Sequence, residues 1–284
     1  MATGRKYHGI HRQQLFHWIA PKEDRDVGLK GILSGDARRK YKEMLDGSLK
    51  RGIWVNSPRT PERLHLGEFS QPLDKAMACF TEWSLNESRP HTTQYGRMGF
   101  GFSKSWLIER GGQPVTYFDQ SRSGTFLKTL VSLMKKLKAD PAALDELLFL
   151  AHFTKRIHKS PTKPTERKVT KKRDTKKAKA TSTTKASDPY RRDWSKTMPY
   201  LEEREWRVVE HPSLLKRGHL VAGSTKDKSK FYLPYQPGSE LFTLVLPDNQ
   251  TVNEVLRNPD FTKLLFPKNA PHVTVLSLQD IGTF

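Results

Sequence analysis

Apolar and polar positions along the chain fall into short blocks. Between Met77 and Phe118 three apolar runs stand out, Met77–Thr81, Met98–Phe102 and Pro114–Phe118. Aromatic and β-branched residues bounded by Gly and Pro are what strands and their connections need, so each run predicts a strand. A turn from His91 to Tyr95-Gly96 and another at Gly111-Gly112 separate them. Thr81, Glu82, His91, Tyr95, Ser103 and Lys104 are pinned between the runs. They fall at strand ends and are expected to face one place.

The flanking sequence extends the pattern. Gln13–Ala20 predicts a strand carrying His17 near its end. Val27–Leu33 and Ala37–Leu49 predict helices, closed by Gly35 and by Gly47 or Gly52. Gly52–Asn56 predicts a strand, and Arg59–Pro72, with two prolines and mixed charge, an irregular loop. After an N-cap at Ser123, apolar residues from Phe126 to Leu137 recur at helical spacing, and Asp140-Pro141 starts a second helix. This pair is expected to pack on a sheet.

Glu203–His211 alternates as a strand, with Trp206 and Val208 on one face and Glu205, Arg207 and Val209 on the other. Lys230–Tyr235 and Glu240–Pro247 follow as strands, the second so apolar that it belongs inside a sheet. Thr251 and Glu254 fit a capping box for a helix through Arg257. Phe261–Phe266 adds a turn or two of helix, and His272–Leu278 a last strand. The sum is an α+β fold: a single domain with a mixed, largely antiparallel sheet of about seven or eight short strands, flanked by helices.

Charge changes the picture in one place. Of the net +20, more than half arises between Lys155 and Lys185, where thirteen Lys and Arg face two acidic residues, Glu166 and Asp174. Residues 160–187 are Lys/Thr-rich with a single Val, too few apolar groups to order themselves. We expect a disordered basic insertion there, with residues 1–159 and 188–284 forming the one domain. Lys168, Lys171, Lys172, Arg173, Lys176 and Lys177 would be its non-specific nucleic-acid contacts; a solubilising insertion is the alternative. The lone Cys79 excludes a disulfide framework or a zinc ribbon. With no secretory leader and no apolar run of membrane length, the expected location is cytoplasmic.

Several chemistries find no motif. There is no Walker loop, no G-x-S-x-G elbow and no H-E-x-x-H pair. Gly96, Gly99 and Gly101 are mis-spaced for a dinucleotide fingerprint and instead suit close strand packing. His8 with His11, or His152 with His158, lacks a carboxylate or thiol cluster, so no metal site is assigned. One catalytic set can be drawn: His17, Tyr95 and a glutamate from Glu202, Glu203 or Glu205. ADP-ribosyl transfer uses such residues to hold NAD and stabilise an oxocarbenium-like state, which demands electrostatic preorganisation rather than a strong nucleophile. The competing reading makes His17 a buried hydrogen-bonded histidine, Tyr95 a turn tyrosine, and Glu205 with Arg207 a same-face ion pair. Lys104 and Arg207 are also candidates for binding an anion.

Leu15–Ala20 (LFHWIA), Met77–Leu85 (MACFTEWSL), His91–Lys104 (HTTQYGRMGFGFSK) with Trp106, and Gly111–Tyr117 (GGQPVTY) together resemble the AbiGi family of abortive-infection proteins. Glu203–Arg207 and Lys230–Phe242 extend the resemblance. The sequence departs at His17-Trp18-Ile19, where the family has His-Phe-Thr, and at Glu82, where it has Asp. The resemblance implies anti-phage defence in a two-gene toxin–antitoxin arrangement, with an antitoxin-like regulatory protein that binds a partner encoded by a neighbouring gene. Glu82, His91, Ser103, Lys104 and Arg207 are the candidate binding residues, and no cofactor is assigned. The enzyme alternative, an ADP-ribosyltransferase acting through His17, Tyr95, Glu203 and Glu205, would need NAD.

Overall fold

The chain's apolar runs pair into sheets that cross long sequence distances. A computed structural model describes residues 14–21, 24, 33–57, 62–66, 69–82, 84–88, 92, 95–119, 124–137, 139–157, 204–223, 231–269 and 271–281. In chain order the strands are β1 (Gln14–Ile19), β2 (Ile53–Val55), β3 (Glu62–Leu66), β4 (Phe69–Leu73), β5 (Met77–Thr81), β6 (Met98–Ser103) and β7 (Gln113–Pro114). They continue as β8 (Thr116–Asp119), β9 (Thr154–Ile157), β10 (Glu205–Val209), β11 (Val221–Ala222), β12 (Phe231–Leu233), β13 (Leu241–Leu246) and β14 (Thr274–Ser277). The helices are α1 (Gly35–Arg51), α2 (Lys104–Glu109), α3 (Gly124–Leu137), α4 (Pro141–Ala151), α5 (Pro212–Lys216), α6 (Asn249–Arg257), α7 (Pro259–Leu265) and α8 (Leu278–Ile281).

A seven-stranded sheet in the order β14-β13-β6-β1-β5-β10-β7 organises the molecule. Its pairings are antiparallel except β13 with β14. That parallel pair is joined through α6 and α7, because parallel neighbours need a crossover long enough to return the chain. Strand β10 follows the basic stretch in sequence yet lies between β5 and β7, so both sides of that stretch build one sheet. The fold is α+β, with a mixed and mostly antiparallel sheet. Residues 158–203, including the expected insertion, lie outside the described residues.

Cross-strand partners share a face, so the register sorts the side chains. Leu15, Ala78, Phe80, Met98, Phe100, Phe102, Trp206, Val208 and Leu244 form one face and pack with α1, α2, α6 and α7 in the main core. On the other face Phe16, Trp18 and Val245 form a smaller cluster with Leu85, Tyr95, Leu278 and Ile281. The glycines of β6 make room for it. A Cβ on Gly99 would lie 2.6 Å from the Trp18 ring, and one on Gly101 2.7 Å from the Phe16 ring.

Local signals set several helix ends. Ser34 caps α1, its hydroxyl accepting from the Ala37 amide at 3.2 Å. Gly35 therefore opens that helix, while Gly52, at φ 104°, closes it. Asp140 caps α4 through the Ala142 and Ala143 amides. Four expectations change. Arg59–Pro72 contains the hairpin β3–β4, where Glu62–Leu66 alternates despite the prolines at either end. Pro114–Phe118 splits at Val115, with β7 joining β10 and β8 joining β9. Helix α6 starts earlier than Thr251, because Asp248 is the cap and accepts from the Thr251 amide at 2.7 Å. The α3–α4 pair forms its own cluster around Met134 and Ala151 with Leu73 of β4, separate from the main core.

Candidate functional site

A cluster of paired charges lies where β5 ends, β10 begins and β6 runs into α2. Glu205 pairs with Thr81 in register, and Gln14 with Ser103, so these strand ends share one end of the sheet. On the Phe16 face, Glu205 accepts from Arg207 Nε at 2.8 Å and from Lys155 Nζ at 3.2 Å. Arg207 also donates to the His152 carbonyl at 2.6 Å. All three charged side chains are nearly removed from solvent. Burial alone would raise the Glu205 pKa; Arg207 and then Lys155 outweigh it and hold the carboxyl at about 2. Cys79 lies opposite Arg207 in register, and burial, then the Glu205 charge, push its thiol well above the usual range. It is therefore a thiol at neutral pH, not a nucleophilic thiolate.

Around the edge of the same end, Glu82 accepts from Lys104 Nζ at 2.8 Å and from the Trp206 indole N–H at 3.1 Å. The Lys104 ammonium also sits 4.7 Å from the centre of the Trp206 ring. This pair is about one-third exposed and forms the solvent-facing part of the cluster. The Ser103 hydroxyl is committed to capping α2, accepting from the Trp106 amide at 3.1 Å. Thr81, Glu82, Ser103, Lys104, Glu205 and Arg207 are thus brought to one end of the sheet.

His17, Tyr95 and Glu205 are not brought together. Phe16 is in register with Thr81, which is in register with Glu205, so Phe16 and Glu205 share a face. His17, the next residue, points to the opposite face, where its ring meets Phe80 at 5.3 Å between centroids. Its Nδ1 lies 2.8 Å from the Cys79 carbonyl, to which the neutral ring donates, and burial lowers its pKa against the effect of that bond. Tyr95 packs against the Phe16–Trp18 cluster beyond the Met98 end of β6. His17 and Glu205 therefore face opposite sides of the sheet and do not converge. Glu202, Glu203, His91, Lys168, Lys171, Lys172, Arg173, Lys176 and Lys177 lie outside the described residues.

Residues 65–244, more than half of the chain, match the model of a family described as abortive phage resistance protein AbiGi, antitoxin. The chain belongs to the AbiGi family. No curated protein and no solved structure matches it. The AbiGi match includes Glu82, Tyr95, Ser103, Lys104, Glu205 and Arg207 but stops short of His17 and all of β1.

Pattern reading missed Lys155, which it counted as the start of the basic stretch; the structure places it in β9 as a partner of Glu205. It also missed two buried polar links. Tyr41 donates to Asp24 at 2.6 Å, with Arg97 Nε 3.3 Å from the same carboxylate, and Arg38 pairs with Asp248 at 3.0 Å. Burial, with the Asp24 bond, pushes the Tyr41 phenol far above its ordinary range. These links join α1 to the start of β6 and to the cap of α6, and nothing local in the sequence marks them. His152 spends Nδ1 on the Leu148 carbonyl and accepts from the Lys75 amide through Nε2. Among the described residues no three His, Cys, Asp or Glu gather as a metal site, and no helix is long and apolar enough to cross a membrane.

Proposed function

We propose that this protein is the antitoxin of an abortive-infection pair, a non-catalytic protein that binds and restrains a partner encoded beside it. The AbiGi match carries the reading. The charged sheet end supports it chemically. Both oxygens of Glu205 and both of Glu82 have partners within the protein, and Arg207 and Lys155 hold the Glu205 carboxyl low against burial, so Glu205 is not poised to give a proton near neutral pH. Buried pairing of this kind fixes strands, and the partly exposed Glu82–Lys104 pair offers a partner a polar edge. A transferase acting on NAD would need His17 beside Glu205, and their opposite faces give that alternative no support.

The test is co-expression in bacteria with the product of the adjacent gene. The expected result is growth arrest by that product alone, relief by this protein, and recovery of the two as a complex. His17→Gln should relieve arrest as well as the wild type, whereas Lys104→Glu, which opposes Glu82 with a like charge, should weaken complex recovery. Growth arrest by this protein alone, abolished by Glu205→Gln without loss of folded protein, would replace the antitoxin reading with an enzymatic one.

A further inference from the structure

The three-stranded sheet β11-β12-β2 packs one face into the core and leaves the other outside. Ile53, Val55 and Leu233 point inward and are fully buried. The alternate positions form one cross-strand row, Val221 opposite Tyr232 and Tyr232 opposite Trp54. Trp54 is 46% exposed and Val221 47%, unusually high for residues this large and apolar on strands. Directly opposed side chains in an antiparallel sheet lie about 5 Å apart at Cβ, so the exposed Trp54 has the partly exposed Tyr232 as its aromatic neighbour.

One cation borders this row, and two more stand at the end of the helix that leads into β11. Helix α1 ends on Lys50 and Arg51, and the Arg51 guanidinium lies 5.1 Å from the centre of the Tyr232 ring. Helix α5, which leads into β11, ends on exposed Lys216 and Arg217. Lys50 is neutralised by Asp46 at 2.7 Å; Arg51, Lys216 and Arg217 add positive charge to a chain already at +20.

We propose that this face binds single-stranded nucleic acid, with bases stacking on Trp54 and Tyr232 and phosphates meeting Arg51, Lys216 and Arg217. An exposed tryptophan with a partly exposed tyrosine and cations beside it suits unpaired bases and their backbone, and stacking needs base faces that a duplex hides. Size favours this occupant over a protein. Three strands of two or three residues cover far less than the roughly 800 Å² per partner of a stable protein interface, while a few nucleotides fit. The inference does not depend on the antitoxin reading, and its site is separate from the charged sheet end.

Fluorescence anisotropy of labelled 12-mers of uridine and of thymidine, and of a duplex of equal length, tests it on the full chain. Trp54→Ala and Tyr232→Ala should each weaken single-strand binding roughly 5- to 150-fold, the range for loss of one stacked base. Trp54→Phe should retain most of the affinity. Arg51→Ala should flatten the salt dependence by about one phosphate contact. Unchanged thermal midpoints would show that the variants stay folded. The two 12-mers reveal whether a 2′-hydroxyl is preferred. The proposal falls if the wild type does not bind, if Trp54→Ala and Tyr232→Ala bind as tightly as it does, or if the duplex binds equally well. It falls also if Trp54→Ala abolishes capture of a protein while no oligonucleotide binds.

Discussion

Replacing Glu205 by Gln is expected to cost about 3 to 5 kcal/mol of folding stability at pH 7, because it leaves Arg207 and Lys155 buried together without their counter-charge. An independent route gives a similar size. Arg207 and Lys155 overcome the effect of burial and hold the carboxyl at about 2, against 4.5 for an unperturbed Glu, a difference worth roughly 3 kcal/mol. The sign follows from proton uptake. Between pH 4.5 and 2 the unfolded chain binds a proton at Glu205 that the native chain refuses, so this stabilisation is complete above 4.5 and disappears as pH falls towards 2. Urea unfolding followed by far-UV circular dichroism across pH 7 to 2.5 reads this directly. The gap between wild type and variant should be widest near neutrality and should close on the acid side. Adding Lys155→Met to Glu205→Gln should recover part of the loss, since one uncompensated cation is then removed. A gap below 1 kcal/mol at pH 7, or one that stays constant with pH, would refute the ion-network account.

Two further outcomes follow from the packing. Gly99→Ala would place a Cβ 2.6 Å from the Trp18 ring, which is held within the sheet, so a loss of about 1 to 3 kcal/mol should appear as a lower thermal midpoint. A variant as stable as wild type would mean that the Trp18 ring can move aside. His17 is held neutral by burial, its pKa lowered despite the bond to the Cys79 carbonyl. The unfolded chain therefore takes up a proton below pH 6.5 that the native chain resists. Relative to His17→Gln, the wild type should lose stability on going from pH 8 to pH 5; a parallel pH dependence would show that His17 ionises freely in the fold.

The family was legible from runs such as Met77–Leu85 and Gly111–Tyr117, because those motifs are local strings. Most strands and helices were legible for the same reason. Alternation marks Glu205–Val209, 3.6-residue spacing marks Gly124–Leu137, and Asp140-Pro141 announces a helix start. The hairpin Glu62–Leu73 was obscured by its prolines and charges, although Pro72 is accommodated within β4 opposite Arg63. Local pattern also determined that Phe16 and His17 point to opposite faces, once β1 is granted as a strand. Which residues stand across from those faces was a tertiary decision. Lys155 meets Glu205 across fifty positions of sequence, and His17 meets the Cys79 carbonyl across sixty-two. Sequence periodicity reports which face of an element is buried, because a strand or helix repeats every two or 3.6 residues whatever surrounds it. It carries no information on strand order or register, and those alone put Glu205 between two cations and left His17 on the far side of the sheet.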